Sequence, residues 1–220
     1  MPGPDSSRPR TPPEQQGEEG ARDLHVVGEA SGSATATSAS SADNRPLKEL
    51  EVRVLRKVFG EGLSYGPVRL VRMSNVVAMI NGSRAFVLGN SLNLPGRDFT
   101  AVSRGQRMDL LVHEAIHVWQ YQRHGWSYVT DALRAQYFGD GYDYVKALRA
   151  GKSWRAMNPE QQAQLIQDAY RGSYFDAPGG RFGVVGNSGK VVSPGSQPPA
   201  DFTDYTPVLV AALEELQKRA

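Results

Sequence analysis

The sequence predicts an α+β fold in which a small antiparallel sheet packs on one central helix and further helices follow toward the C-terminus. Three observations predict it. Leu110 to Gln122, LLVHEAIHVWQYQ, has the apolar spacing of a buried helix. Before it stand short runs rich in β-branched and aromatic residues, Val68 to Met73, Val76 to Ile80 and Arg84 to Leu88. After it stand segments with helix-start signals, Asn158-Pro159 and Thr206-Pro207.

In chain order, residues 1–43 are rich in Pro, Ser, Gly and Thr, with little apolar content, and read as a disordered acidic tail. The tail carries three basic and seven acidic residues, so a chain of net charge +2 leaves +6 on residues 44–220. That remainder is long enough to bury one core, and one domain is expected. Its acidic and basic residues are interspersed without a dense basic run, so no nucleic-acid partner is expected. The chain has no cysteine, which excludes a disulfide scaffold and thiolate metal ligands. No signal-peptide core follows Met1 and no apolar run approaches the length of a membrane span.

Asn44-Arg45-Pro46 predicts a capped helix start, with Leu47, Leu50, Val54, Leu55, Val58 and Phe59 on one side and a stop at Gly60. Val68 to Met73 reads as a strand. Asn81-Gly82 between Val76 to Ile80 and Arg84 to Leu88 predicts a two-residue hairpin. Ser103 and Gln106 make a capping box for the central helix, and Gly125 suits the residue past its end. A helix over Tyr128 to Phe138 follows, then a turn-rich Gly139 to Tyr144 and a short basic segment. A clearer helix opens at Asn158-Pro159, with Ala163, Ile166 and Tyr170 on one side. Residues 178–200, rich in Gly and Pro, read as a long surface loop. Thr206-Pro207 opens a final helix that docks Val208, Ala212, Leu213 and Leu216.

The central helix carries the chemistry. His113 and His117 are four residues apart, about one turn, so both rings stand on one face with Glu114 beside them. Met108, Leu111, Val112, Ala115, Val118 and Trp119 fall on the opposite, core-facing side. H-E-x-x-H on a helix is the arrangement in which two neutral imidazoles hold zinc and the carboxylate serves as general base. The competing reading is a pair of ordinary core histidines, which leaves Glu114 without a purpose. A metzincin extension is excluded, because the positions for its glycine and third histidine hold Trp119 and Arg123. His124 lies about 10 Å of axial rise beyond His117 and is instead a helix-end residue favoured by the dipole.

Phe59-Gly60-Glu61-Gly62-Leu63, Val68-Arg69-Leu70, Ala85 to Asn90, Leu111-Val112-His113-Glu114 and His117-Val118-Trp119-Gln120 occur in that order. Tyr142, Tyr144 and Asn158 to Ala163 continue the series. Together, over roughly Leu47 to Tyr170, they resemble the zinc metallopeptidase domain associated with extracellular contractile injection systems, in the bacterial branch related to Vgr and Rhs secretion proteins. The resemblance implies a zincin-like fold and a link to contractile secretion.

A third ligand must come from elsewhere in the chain. Glu160-Gln161-Gln162-Ala163 resembles the Glu-x-x-Ala of glutamate zincins, which implies Glu160, with Gln164 in reach to hold a ligand ring. Asp143 or Asp140 is the alternative. As an unrelated role, Glu160 suits the first turn of its own helix. Tyr142, Tyr144, Tyr170 and Tyr174 are the candidate oxyanion donors, though each is also an ordinary packing residue.

These residues make Zn2+ the expected cofactor, peptide-bond hydrolysis the expected reaction, and Glu114 the expected base. The expected substrate is a protein or peptide, the expected partners are components of a contractile secretion apparatus, and the expected role is that of a secreted effector or processing enzyme. The expected location is the bacterial cytoplasm before delivery, with export independent of a Sec signal peptide. Two alternatives stand beside this: a non-catalytic, zinc-stabilised binding or cargo module, and a peptidoglycan amidase or peptidase.

Overall fold

The computed structural model describes residues 43–125, 141 and 143–219, which fall within one compact unit, Ser38–Ala220. Residues 1–42 of the expected tail, the expected helix over Tyr128 to Phe138, Asp140 and Tyr142 lie outside the described residues.

Asn44–Pro46 is a strand, β1, rather than a helix start. Arg45 is drawn away from helical geometry by two hydrogen bonds to Glu51, at 2.9 and 2.7 Å, and by pairing of β1 with β2 (Arg69–Arg72). Helix α1 (Glu49–Phe59) therefore starts after Lys48, whose N–H donates to the Glu51 carboxylate at 2.7 Å, and ends at Gly60 as expected. Its buried side carries Val54, Leu55, Val58 and Phe59.

The hairpin expected at Asn81-Gly82 is not formed. Asn75–Ile80 is a short helix, α2, whose Ser74 cap accepts from Val77 N–H, and Asn81-Gly82 ends it. None of its residues is buried, so the β-branched side chains there have no sheet face to fill, and capping decides the local structure. The real hairpin lies eight residues on, β3 (Phe86–Leu88) and β4 (Ser91–Leu94) turning at Gly89-Asn90.

The sheet order is β1-β2-β4-β3. β2 and β4 run parallel, Leu70 beside Leu92, because α2 and β3 carry the chain back between them. The expected all-antiparallel sheet is thus a mixed one. Leu70, Leu92 and Leu94 are fully buried and join α1 and the central helix in the core.

After α3 (Gly96–Ser103) comes the central helix α4, Met108–His124. The Ser103 and Gln106 capping box is not its start: Ser103 ends α3, and Arg107 caps α4 in the left-handed conformation, φ +50°. Gly125 ends α4, φ +73°, as expected. α4 packs against α1, β3, β4 and, over the longest seam, a later helix described next.

The basic segment after Asp143 is a helix, α5 (Tyr144–Arg149). Asn158-Pro159 opens α6 (Pro159–Arg171), with a capping box between Asn158 and Gln161 as the sequence predicts. α6 lies along α4, burying Ala163, Leu165, Ile166 and Ala169.

The expected loop over 178–200 is mostly a hairpin. β5 (Arg181–Val185) pairs with β6 (Ser188–Val192) and with β7 (Thr203–Asp204). The glycines here serve close approach rather than looseness: a side chain at Gly183 would collide with the Thr203 carbonyl, and one at Gly189 with the Tyr144 hydroxyl. Thr206–Leu216 forms the last helix, α7, docking Leu209, Ala212 and Leu216. The described part is therefore α+β with two small sheets, and none of its helices is long and apolar enough to cross a membrane.

Candidate metal centre

α4 is buried nearly all round, because α1 and the sheet cover one side and α6 the other. His113 and Glu114 retain 7% and 5% of their exposure and Glu160 only 6%, so a polar group has been built into the core. His117 is partly buried beside them. Polar groups placed this deep need partners, and the partners here are specific.

α6 brings Glu160 across to the two imidazoles. Its Oε2 lies 3.4 Å from His113 Nε2 and 3.5 Å from His117 Nε2, and ligand atoms of all three residues lie within 4.8 Å of one another. The outer ring nitrogens are fixed by glutamines. His113 Nδ1 faces Gln167 Oε1 at 3.0 Å, and His117 Nδ1 faces Gln120 Oε1 at 2.9 Å. An amide oxygen accepts only, so each Nδ1 carries a proton, and in the neutral ring that leaves Nε2, on the Glu160 side, as the atom free to bind a metal.

Those glutamines are themselves held. Gln120 Nε2 donates to Gln162 Oε1 at 2.9 Å, and Gln162 donates to the Trp154 carbonyl. Gln167 Nε2 donates to Asp109 at 3.0 Å, and Arg171 grips the same carboxylate oxygen at 2.7 Å. Gln164, the residue expected to hold a ligand ring, donates to Asp168 instead. Gln167 takes its place because, seven residues after Glu160, it returns to the same stripe of α6. Gln120 and Gln167 were missed by sequence reading; the signal was their spacing, three after His117 and two turns after Glu160.

Electrostatics follow from this packing. In the metal-free site burial opposes charge on the Glu160 carboxyl, but His113 and His117, close enough at 3.4 and 3.5 Å to act on it as proton donors, outweigh burial and hold the group below the ordinary glutamate range. Burial also works against a charged His117, yet without a metal the Glu160 carboxylate 3.5 Å away prevails and lifts it to about 9. Glu114 has no such donor; burial pushes its carboxyl up, although the histidines pull the other way.

Does a metal ion fit? Glu160 Oε2 and Glu114 Oε2 are both buried with no hydrogen-bond partner among the described residues. Two imidazole lone pairs and a carboxylate oxygen converging on one point, with ring orientation fixed from behind, is the donor set of a three-ligand metal site. Beside it opens a cleft of about 360 Å³ reached by His113, Glu114 and Gln167.

The remaining candidates are placed elsewhere. Asp143, the alternative third ligand, is exposed and caps α5, its Oδ1 accepting from Lys146 N–H at 2.8 Å; it does not join the histidines. Tyr144 donates its hydroxyl to Asp168 at 2.8 Å and packs on Phe182, a core role that leaves it no proton for an oxyanion. Tyr170 lies ten residues along α6 from Glu160, about 15 Å by helical rise, and packs on Phe175, which also contacts Tyr174. His124 ends α4 edge-on to Trp119, in the helix-end position its sequence implied.

No family model matches the chain, and no solved structure matches it. Over 133 residues, 57% of this chain, it is 31% identical to the type VI secretion system spike protein VgrG2b of Pseudomonas aeruginosa, of which the match spans 13%.

Proposed function

We propose that the chain is a zinc-dependent metallopeptidase of zincin-like fold, associated with a bacterial contractile secretion system. The observation that supports the reading best is the convergence of His113 Nε2 and His117 Nε2 on an otherwise unpartnered Glu160 oxygen, with Glu114 buried beside them. His113, His117 and Glu160 would hold zinc, which would supply Lewis acidity toward a substrate carbonyl and water.

The chain's own groups do the rest. Glu114, next to His113 and open to the cleft, takes a proton from the attacking water and delivers it to the leaving amine nitrogen. Its burial raises its basicity, which suits a proton acceptor. Gln120 and Gln167 keep both rings in the tautomer that offers Nε2, so the ligands need no reorganisation. The two carboxylates differ in position: Glu160 Oε2 lies 3.4 and 3.5 Å from the two imidazole Nε2 atoms, whereas Glu114 lines the cleft.

The link to contractile secretion rests on the similarity to the spike protein, and the same similarity favours one second reading, a zinc-stabilised module of that apparatus without catalysis. Glu114 separates the two. Glu114→Gln keeps size and removes the base, so a peptidase loses cleavage of unfolded casein by about two orders of magnitude or more while keeping zinc. A module loses nothing by this substitution, and a Glu114→Gln chain that cleaves as well as the unaltered one would rule out the assigned base.

A further inference from the structure

The cleft beside Glu114 is lined partly by residues the catalytic reading leaves unused. Arg84, Asp98 and Arg107 stand there with Leu110, His113, Glu114 and Gln167. Arg107 holds a left-handed backbone, φ +50° and ψ +36°, which side chains larger than glycine rarely adopt and which costs stability. It stands where α4 begins, a position that Asn, Asp or Gly would fill with less strain. Its guanidinium is also anchored: Nη1 bonds the mostly buried Asp98 at 3.1 Å, and Nε lies 3.8 Å from Asp109. Nη2 makes no hydrogen bond among the described residues.

Arg84, just past α2, is exposed and makes no ion pair among the described residues. Asp98 is matched by Arg107, and Arg97 adds a second cation 3.8 Å away, so Asp98 itself adds no net negative charge to the cleft, whose other carboxylate is Glu114. The cleft lining therefore includes the Arg107 guanidinium, anchored by Asp98 and Asp109, and Arg84, which makes no ion pair among the described residues. A guanidinium suits a planar carboxylate, which accepts two parallel N–H bonds, and this cleft is lined by two.

We infer that the cleft recognises a carboxylate on a polypeptide substrate through Arg84 and Arg107, with Asp98 holding Arg107 in place. This rests on the peptidase reading of the same site and specifies its substrate class. The carboxylate is either an Asp or Glu side chain or a free C-terminus, and both present the same group.

The test uses the zinc-loaded full chain carrying Glu114→Gln and follows peptide binding by NMR titration. The probes are acetyl-Ala-Ala-Glu-Ala-Ala-amide, its Gln counterpart, and acetyl-pentaalanine as free acid and as amide. One acid is expected to bind at least tenfold more tightly than its neutral counterpart. The first pair identifies a side-chain carboxylate and the second a terminal one. Arg107→Asn, chosen because asparagine tolerates the left-handed backbone, should reduce the preference to less than twofold. Arg84→Gln should do so too, and it alters no structural partner, so it keeps the test decisive if the other variant misfolds. Equal binding of acid and neutral peptides, no binding of either acid, or a preference that survives both substitutions overturns the inference. Casein cleavage by the unaltered chain tests the peptidase reading separately. Cutting without preference for carboxylates overturns only the present inference; carboxylate binding without cutting overturns only the peptidase reading.

Discussion

Gln167 on α6 holds His113 on α4 from behind, its Oε1 3.0 Å from the ring Nδ1, while Glu160 on the same stripe of α6 meets the ring's other nitrogen. One helix thus provides both the carboxylate and the orienting amide for one imidazole.

Gln167→Ala removes the group that fixes the His113 tautomer and leaves Asp109 with its arginine partners, Arg171 at 2.7 Å and Arg107 at 3.8 Å. Zinc affinity is expected to fall about 10- to 100-fold, read by competition with a chromophoric chelator. Gln164→Ala is the control, since its amide bonds Asp168 and no ligand; its affinity should be unchanged.

The metal-free chain should show a stability maximum in mildly acidic solution. Glu160, held below its ordinary 4.5 by the two histidines against burial, contributes stability present above that value and lost as pH falls through its folded pKa. His117, lifted from 6.5 to about 9 by Glu160 against burial, contributes stability present below 6.5 and lost as pH rises through 9. Glu114, raised from 4.5 by burial, contributes stability present below that value and lost as pH rises through its folded pKa, which moves the maximum toward the acid end of the window. Thermal melts of chelator-treated protein should therefore decline on both sides of about pH 5 to 6.5. Glu160→Gln should flatten both limbs; limbs of undiminished slope in that variant would contradict the assigned coupling.

Tyr144→Phe deletes one buried hydrogen bond, to Asp168, and should cost about 1 kcal/mol, or about 2–4 °C in melting temperature. Cleavage at temperatures well below the transition should stay within twofold of the unaltered chain. A loss of a hundredfold with the fold intact would make Tyr144 an oxyanion donor after all.

Short-range signals were readable at the site, though the Asn81-Gly82 hairpin and the Ser103 and Gln106 capping box were not formed. His113, Glu114 and His117 depend only on helical spacing, and α6 opens at Asn158-Pro159 because the cap is a local hydrogen bond. Glu160 was reachable through its resemblance to a known ligand pattern, not through any local rule. What the sequence concealed depends on tertiary pairing. Arg45 is extended because Glu51 and β2 hold it, and β2 meets β4 in parallel only after an intervening helix and strand. Gly183 and Gly189 resemble loop residues until the closely packed Thr203 and Tyr144 are seen. Arg107 takes over the start of α4 from Ser103, against local preference, at the wall of the cleft.

The central claim is that His113, His117 and Glu160 together hold zinc. Elemental analysis of the full chain after metal-replete purification and gel filtration tests it most directly. The account predicts one zinc per chain, retained in Glu114→Gln and Asp143→Asn, and sharply reduced in His113→Ala, His117→Ala and Glu160→Gln. An unaltered chain that carries no zinc, or a Glu160→Gln chain that keeps full occupancy and affinity, would contradict it.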